Sequence, residues 1–318
     1  MFKRPRAATS LLLALCGLLL APCTQADAAA PLKISVSLYP LAHLVGQVGG
    51  AWVEVHTVIP AGAEPHEYEP TPRDIIRVLQ SRVFFFQGGT LTQGAAPPLE
   101  PWVKKLLPNL KENGITAVDM ASLTRNGDAS AFIAEGDVVN PHMWLDPVLY
   151  AIQAAAVANA LIEADPSNRA VYEKNAREYV DRLKNLDDEY CRGLKTCAMR
   201  DIVVSHDFFA YPARRYGLKN HPVRGLSTDE EVSPKKLAEF IGLINKNGIK
   251  FLFREPLQRD KDIETLAHET GAQALDLNSL ESPIRRTDEA RKNNSAQDDY
   301  LSVMNENLAT LKRALKCK

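Results

Sequence analysis

Short apolar runs alternate with amphipathic stretches along most of the chain. Runs rich in Val, Ile and Phe are typical of buried strands, and the stretches between them have the spacing of helices. The strand-like runs form an early and a late group: 33–38, 53–59, 83–87 and 115–119, then 202–205, 223–226, 249–254 and 272–277. This alternation predicts an α/β fold with two lobes, each a mostly parallel sheet flanked by helices.

One long amphipathic helix is predicted between the two groups. Its apolar positions recur at spacings of four and three residues: Tyr172, Ala176, Tyr179, Leu183, Leu186 and Tyr190. Asp165 is a good N-cap and Pro166 a good first helical residue. A helix of about 28 residues, at about 1.5 Å per residue, extends for roughly 40 Å. Taken alone such a stripe indicates core packing, but this length is enough to run along a two-lobed body.

The first 28 residues have the pattern of a secretory signal. Three cations precede the apolar run 11–20, and a small-x-small cleavage site follows at 26–28. The run is too short to span a bilayer as a stable helix. A lipoprotein box is outlined around Cys23, but the proline before it fits poorly, so a soluble exported protein is favoured. No later stretch approaches 18 uncharged apolar residues, and we expect the mature protein in a bacterial periplasm.

Charge and cysteine content narrow the class of protein. The formal net charge is −1, which gives no basic surface for nucleic acid. Beyond the signal the chain keeps Cys191, Cys197 and Cys317. An oxidising compartment favours a disulfide. Cys191 and Cys197 are the favoured pair because the short segment between them can turn back on itself, and a link from Cys317 to one of them is the alternative.

Three histidines share one kind of setting. His66, His142 and His206 each lie in a short polar turn, and His66 and His206 follow strand-like runs. Ligands of open parallel sheets bind beyond the carboxyl ends of strands. Neutral imidazole is a ready ligand for Zn²⁺ and other borderline metals, and three of them nearly complete a tetrahedral zinc sphere. The histidines are far apart in sequence, so only the fold can bring them together in the metal site that we predict.

The segments around these histidines resemble a known family. The stretch 65–74 (PHEYEPTPRD), the stretch 140–147 (NPHMWLDP) and Ser-His-Asp at 205–207 are similar to the metal-binding receptors of zinc and manganese ABC importers, the cluster A-I solute-binding proteins, some of which are called adhesins. The resemblance extends from about Lys33 to the C-terminus. It implies a monomeric receptor that holds its ion between two lobes and delivers it to a membrane permease.

The resemblance also implies how the chain is divided. The expected boundaries are a signal peptide at 1–28, an N-terminal lobe at 29–164, a linking helix at 165–194 and a C-terminal lobe at 195–318. In the family this helix is a stiff link between the lobes. The metal ligands implied are His66 and His142 from the first lobe, and His206 with a carboxylate from the second.

The position of that carboxylate is less well defined by the sequence. In the family an aspartate in the last strand-to-loop turn often completes the sphere, and the flanking residues put Asn278 at that place. Asp276 lies two residues earlier, on the same face of the strand. An amide is a weak zinc ligand, so Asp276 is favoured, with Asn278 or water as alternatives. Glu255 is a candidate carboxylate beside the site, although a plain salt bridge explains it equally well.

The donor set favours zinc and a binding function. Three imidazoles suit Zn²⁺ better than Mn²⁺, which prefers oxygen ligands; manganese and ferrous iron are the alternatives. A zinc hydrolase needs an open metal position and a nearby base, but His66-Glu67 has no second histidine four residues later. A host-surface adhesin is not supported by any repeat or stalk. We therefore predict a periplasmic solute-binding protein for zinc transport, not an enzyme.

Overall fold

The computed structural model describes residues 30–91, 96–226, 231–256, 260–282 and 299–318. Within them, Pro31–Lys318 form one compact unit. The expected signal segment, including Cys23, lies outside the described residues. Two four-stranded sheets dominate this unit, as predicted.

The first sheet is built from the early strands. Its four strands are all parallel and lie in the order β2-β1-β3-β4: β1 Leu32–Val36, β2 Val53–Thr57, β3 Val83–Phe86 and β4 Thr116–Asp119. The four predicted runs are confirmed, with ends that differ by a few residues. The central strand β3 is buried along its whole length, as expected for a parallel strand covered on both faces. Four helices accompany this sheet: α1 Tyr39–Gly49, α2 Pro72–Leu79, α3 Val103–Glu112 and α4 Met120–Gly127. A short antiparallel pair of strands, β5 Ala134–Glu135 and β6 Val138–Val139, follows α4.

The second sheet is built from the late strands. It is also parallel, in the order β10-β9-β7-β8: β7 Asp201–Val204, β8 Lys219–Pro222, β9 Phe251–Arg254 and β10 Gln273–Asp276. Its helices are α7 Ala210–Arg215, α8 Pro234–Asn247, α9 Lys261–Thr270 and α10 Asp299–Ala314. We refer to the two sheets with their helices as the N-terminal half and the C-terminal half.

One strand of the second sheet differs from the prediction. The run 223–226 was expected, but β8 ends at Pro222. It is an edge strand whose residues are half-exposed or exposed, so it lacks the apolar pattern of a buried strand. The backbone N–H of Val223 still donates to the carbonyl of Val204, and that of Arg224 to Ser205. The extended pairing therefore continues just past the strand.

The predicted long helix is present between the two sheets. A 3-10 turn at Pro166–Asn168 leads into α6, Arg169–Gly193. The residues of its predicted apolar stripe are its buried residues: Tyr172, Ala176, Tyr179, Leu183, Leu186 and Tyr190. Asp165 does not cap a backbone N–H; its carboxylate accepts hydrogen bonds from the side chains of Asn168 and Tyr172 instead. The helix packs on α1, α10 and α5 (Pro147–Ala164), and so contacts elements of both halves.

Helix α5 is the most apolar helix in the described part of the chain that is long enough to cross a membrane. Length and composition alone make it a candidate span, but half of its apolar window is buried inside the protein. It packs against α6, α1 and α4. Core helices pass the same test of length and composition, and these contacts identify α5 as one of them.

The disulfide differs from the favoured pairing. Cys197 is bonded to Cys317, while Cys191 is an exposed free thiol. Cys191 lies within α6, and the helix continues to Gly193, so the segment between Cys191 and Cys197 does not fold back on itself. Cys197 instead lies beside the C-terminus, where Met199 donates a backbone hydrogen bond to Leu315. The favoured pair was wrong, and the alternative through Cys317 is the one observed.

Candidate metal centre

The three predicted histidines meet in the structure, together with a glutamate. His66, His142, His206 and Glu281 each offer one donor atom, and these four atoms all lie within 4.8 Å of one another. The Glu281 Oε1 atom lies 2.8 Å from Nε2 of His142, 3.7 Å from Nε2 of His206 and 3.9 Å from Nε2 of His66. At most 4% of any of the four side chains is exposed to solvent. The cluster is thus a buried group of three imidazoles around one carboxylate.

His66 is held by the loop that follows β2. Pro65–Glu67 form a 3-10 turn, and the proline fixes the backbone at the start of that turn. The carboxylate of Glu64 accepts a hydrogen bond from the backbone N–H of His66 at 3.5 Å. The ring of His66 lies with its centre 5.8 Å from that of His142 and 5.9 Å from that of His206. His66 therefore lies in the loop beyond the carboxyl end of β2, nine residues after Thr57.

His142 lies in a turn fixed at both ends. Behind it, the carbonyl of Pro141 accepts a hydrogen bond from the side chain of Gln87 at 2.8 Å. Ahead of it, a 3-10 turn at Met143–Leu145 leads to Asp146, whose carboxylate caps the first N–H groups of α5. The indole N–H of Trp144 donates to the carbonyl of Ser279 at 2.8 Å. This last bond joins the His142 turn to the loop that carries Glu281.

His206 lies two residues beyond the end of β7 and contacts two carboxylates. Its Nδ1 atom lies 3.0 Å from Oε1 of Glu255, and its Nε2 faces Glu281. Glu255 follows β9, the neighbouring strand, and its other oxygen accepts a hydrogen bond from the Ser279 hydroxyl. Carboxylates that bind the outer nitrogen of a metal-ligating histidine orient the ring and raise its basicity. We considered Glu255 either as a carboxylate beside the site or as part of a plain salt bridge. Its position next to His206 fits a carboxylate that supports the site.

The charges of the cluster hold a proton on His206. Burial lowers the pKa of His206, but the carboxylates of Glu255 and Glu281 outweigh this and raise it to about 10. For Glu281, burial raises the pKa, yet the adjacent His142 and His206 bring it well below its usual value. Glu281 is therefore an ionised carboxylate. A metal ion that binds the Nε2 of His206 has to displace a proton.

The structure places Asp276 away from the histidines, contrary to our expectation. Asp276 ends β10, an edge strand, and its side chain is 58% exposed. It pairs with Nε of Arg254 at 3.2 Å, its direct neighbour across the β10–β9 register. Asn278, the alternative, accepts a hydrogen bond from the backbone N–H of Leu280 and is held by Asn307. Neither residue is part of the cluster.

Glu281 was missed because the loop after β10 is longer than the flanking residues suggested. Leu280, immediately before Glu281, is buried and has a φ of 61°, a left-handed conformation that leucine rarely adopts. This residue redirects the chain so that Glu281 can face the histidines. One signal was present: Glu281 is the only acidic residue between Asp276 and Ser282. It also lies beyond the strand rather than in it, where ligands of parallel sheets are found.

The four donors form a set that suits zinc. Three imidazole nitrogens and one carboxylate oxygen are all common ligands of Zn²⁺, which takes four of them in a tetrahedron. Soft thiolates are absent from this cluster, and the number of oxygens is low for Mn²⁺ or Mg²⁺. With four protein ligands the sphere is filled, as in sites that hold a metal rather than use it in catalysis.

The whole fold is shared with solved structures of metal-binding proteins. The Zn(II)-bound ZnuA-like domain of Streptococcus pneumoniae AdcA is 32% identical and has a TM-score of 0.72; the match covers 90% of this chain and 99% of that one. Streptococcus pneumoniae AdcAII is 27% identical, with a TM-score of 0.76, over 91% and 100% of the two chains. Laminin-binding Lmb of Streptococcus agalactiae, whose structure is described as that of an adhesin with metal-transporting activity, is 25% identical with a TM-score of 0.75, over 89% and 99%.

The similarity extends to curated relatives. The zinc-binding lipoprotein AdcA of Streptococcus pneumoniae is 33% identical over 96% of this chain, which spans only 60% of that relative's length. The high-affinity zinc uptake system protein ZnuA of Bacillus subtilis is 28% identical over 98% of this chain and 96% of its own. Because the first of these is named a lipoprotein, the comparisons do not support our preference for a soluble product over a lipid at Cys23.

The family itself is shown by a match along nearly the whole described chain. The sequence profile described as "Zinc-uptake complex component A periplasmic" matches residues 34–314. That range includes both sheets, the long helix and all four residues of the buried cluster. The description of the profile names a component of zinc uptake. The chain therefore belongs to the ZnuA family of periplasmic zinc-uptake components.

Proposed function

We propose that this protein captures a zinc ion with His66, His142, His206 and Glu281 and delivers it to the permease of an ABC importer. The observation that carries this proposal is the convergence of four zinc-type donors within 4.8 Å in a buried position. Two of them come from loops of the N-terminal half and two from loops of the C-terminal half. An ion bound there is held between the halves.

Zinc is the cargo that the donor set favours. Nitrogen-rich spheres suit Zn²⁺, whereas Mn²⁺ prefers oxygen ligands. The Zn(II)-bound AdcA domain has the same fold, and the family is described as a component of zinc uptake. Manganese and ferrous iron are the competing cargoes, so a competition titration has to include both.

The cellular setting is also part of the proposal. The protein is exported by its N-terminal segment and acts in the periplasm as a monomer, with no role in binding nucleic acid. The division into lobes at 29–164 and 195–318, joined by a stiff helix at 165–194, belongs to the same proposal. It is supported by the burial of one face of α6 against helices of both halves.

A zinc hydrolase is the weaker alternative. Such an enzyme keeps one coordination position open for water, but Glu281 takes the fourth position in the proposed sphere. The membership of the ZnuA family also supports transport.

Metal analysis tests the function directly. The protein is purified from its own periplasm, and its zinc, manganese and iron contents are measured after gel filtration. We expect one zinc per chain, and competition titrations with a chromophoric chelator should rank zinc above Mn²⁺ and Fe²⁺. His66→Ala, His142→Ala and His206→Ala should each weaken zinc binding by orders of magnitude, since each removes a ligand. Full zinc affinity in all three variants would overturn the proposal.

The matched control is His268→Ala. His268 is 87% exposed and contacts only its neighbour Glu269 among the pairs observed. It should retain wild-type zinc affinity, which shows that losing a histidine as such is harmless. If zinc affinity fell as much in His268→Ala as in the three cluster variants, the zinc would be binding nonspecifically to the surface.

A further inference from the structure

The ring of His142 is held between two oxygen atoms. Its Nδ1 lies 2.9 Å from Oδ1 of Asn140, and its Nε2 lies 2.8 Å from Oε1 of Glu281. The residue is completely buried, so water cannot substitute for either contact. A neutral imidazole carries its proton on one nitrogen only. Whatever fixes that proton also decides which nitrogen is free to bind a metal.

The orientation of the Asn140 amide follows from its neighbours. The amide nitrogen donates to the carbonyl of Asp207 at 2.6 Å and lies 3.1 Å from its carboxylate oxygen. The amide oxygen accepts the backbone N–H of His142 at 3.0 Å. A flipped amide would place its oxygen against the two Asp207 oxygens and its NH₂ against the N–H of His142. Only one orientation fits, and it turns an acceptor toward Nδ1 of His142.

Asn140 is itself fixed on both sides of its backbone. Its N–H donates to the carbonyl of Ile133 at 2.8 Å, and its carbonyl accepts the hydroxyl of Tyr211 at 2.8 Å. Only 2% of the residue is exposed. On the other side, Asp207 accepts a second amide hydrogen bond, from Asn220 at 2.6 Å. The Asn140 amide is therefore a rigid bridge between His142 in the N-terminal half and the residue after His206 in the C-terminal half.

We propose that Asn140 is a positioning residue that holds the proton of His142 on Nδ1, leaves Nε2 for the metal, and ties His142 to the His206 loop through Asp207. The inference rests on the proposed zinc site. His206 differs, because the group beside its Nδ1 is the carboxyl group of Glu255 at 3.0 Å. An amide cannot take up the proton of Nδ1, so it fixes the proton's place without adding a negative charge to the cluster.

Two variants separate the two roles of Asn140. Asn140→Ala removes both the acceptor for His142 and the donor to Asp207. Asn140→Asp keeps an acceptor toward Nδ1 but sets a second acceptor against the oxygens of Asp207. The control is Asn220→Ala, which removes the other amide that donates to Asp207 and leaves Asn140 in place. All are made in the full-length protein, loaded with zinc alone.

Zinc competition titration and long-range ¹H–¹⁵N NMR of the histidine rings are the two measurements. In the wild type and in Asn220→Ala we expect a Nδ1–H signal from His142 that exchanges slowly with water. In Asn140→Ala that signal should lose its protection, and zinc should bind about 10- to 100-fold more weakly, as is usual when a group supporting a ligand is removed. In Asn140→Asp the signal should persist, because a carboxylate oxygen still accepts from Nδ1. Zinc affinity should fall, because the amide link to Asp207 is replaced by a contact between two carboxyl groups.

The outcomes distinguish this inference from the proposed function. If the wild type retains no zinc, the function itself is wrong. If it retains zinc and Asn140→Ala matches it in affinity and in the His142 signal, only the role of Asn140 is overturned. Should Asn140→Ala fail to fold, Asn140→Asp decides: full zinc affinity, or loss of its Nδ1–H signal, contradicts the proposal.

Discussion

His142 Nε2 and Glu281 Oε1 lie 2.8 Å apart, although 139 residues separate them along the chain. His142 precedes α5 of the N-terminal half, and Glu281 follows β10 of the C-terminal half. Both are buried, and an isolated charge in such a place is costly unless it is paired. In the absence of metal the ionised Glu281 is balanced by its histidine neighbours. A zinc ion would replace them as the partner of that charge.

Glu281→Ala should weaken zinc binding strongly, whereas Asp276→Ala should leave it unchanged. Glu281 contributes an oxygen to the proposed sphere, and its removal leaves three imidazoles and no negatively charged ligand. Asp276 is exposed and pairs with Arg254 instead. The measurement is a competition titration of both variants against the same chelator. Equal effects of the two substitutions, or a larger effect of Asp276→Ala, would contradict the ligand set proposed for this protein.

The disulfide should contribute measurably to stability. Cys317→Ser removes a crosslink between residues 120 positions apart, and loss of a native disulfide typically costs about 2–5 kcal/mol. We expect a loss of this size in the free energy of unfolding from urea denaturation of the oxidised protein. Cys191→Ser is the control because Cys191 is free and exposed. If Cys191→Ser is the variant that loses stability, the pairing is not Cys197 with Cys317.

The features that the sequence predicted are those with a local cause. The stripe of α6 follows from the helical period, and Tyr172 and Tyr190 are both buried as the pattern requires. Strand β3 of the first sheet is an apolar run of the chain itself, Val83–Phe86. The histidine positions follow from a rule of topology, because ligands lie beyond the carboxyl ends of parallel strands. His66 and His206 both obey it.

The features that the sequence did not predict depend on the path of the chain in space. The position of Glu281 depends on Leu280, which is buried and has a left-handed backbone conformation. No local sequence pattern predicts that conformation. The pairing of Cys197 depends on where the C-terminus returns. The five residues between Cys191 and Cys197 do not reveal which way the Cys191 side chain points from its helix. Strand β8 is polar because it lies at an edge, and its place in the sheet is set by pairing with β7 rather than by its own composition.

Glu100 should make the metal-free protein less stable as the pH rises. Burial raises the pKa of Glu100, and hydrogen bonds from Ser37 and Gln87 lower it. Burial has the larger effect, and the resulting pKa is about 7. Because the folded-state pKa lies above the unfolded value of 4.5, the neutral form stabilises the fold at low pH. This stabilisation is complete below about pH 4.5 and is lost as the pH rises through 7.

Glu100→Gln tests that dependence, since glutamine stays neutral at every pH. The free energy of unfolding of both proteins is measured at pH 5 and at pH 8.5. Between these pH values the wild type should lose about 3 kcal/mol of stability relative to the variant, because one unit of pKa shift corresponds to about 1.4 kcal/mol. Ser37→Ala removes one donor to the same carboxylate but keeps the titrating group. Its pH dependence should remain, and should be larger because a hydrogen bond that lowers the pKa of Glu100 is lost. A constant difference between wild type and Glu100→Gln would show that Glu100 does not titrate in this range.

Zinc should stabilise the protein with little change in its overall shape. The proposed site draws on both halves, and α6 buries one face against helices of both, so a large hinge rotation would have to break that packing. Zinc binds the native state and should raise the melting temperature with increasing concentration. Solution scattering with and without zinc should give nearly the same radius of gyration, and the Glu281→Ala variant, with its weakened site, provides the baseline. A marked decrease in the radius of gyration of the wild type on adding zinc, absent from Glu281→Ala, would mean that the halves close around the ion and that α6 is not a stiff link.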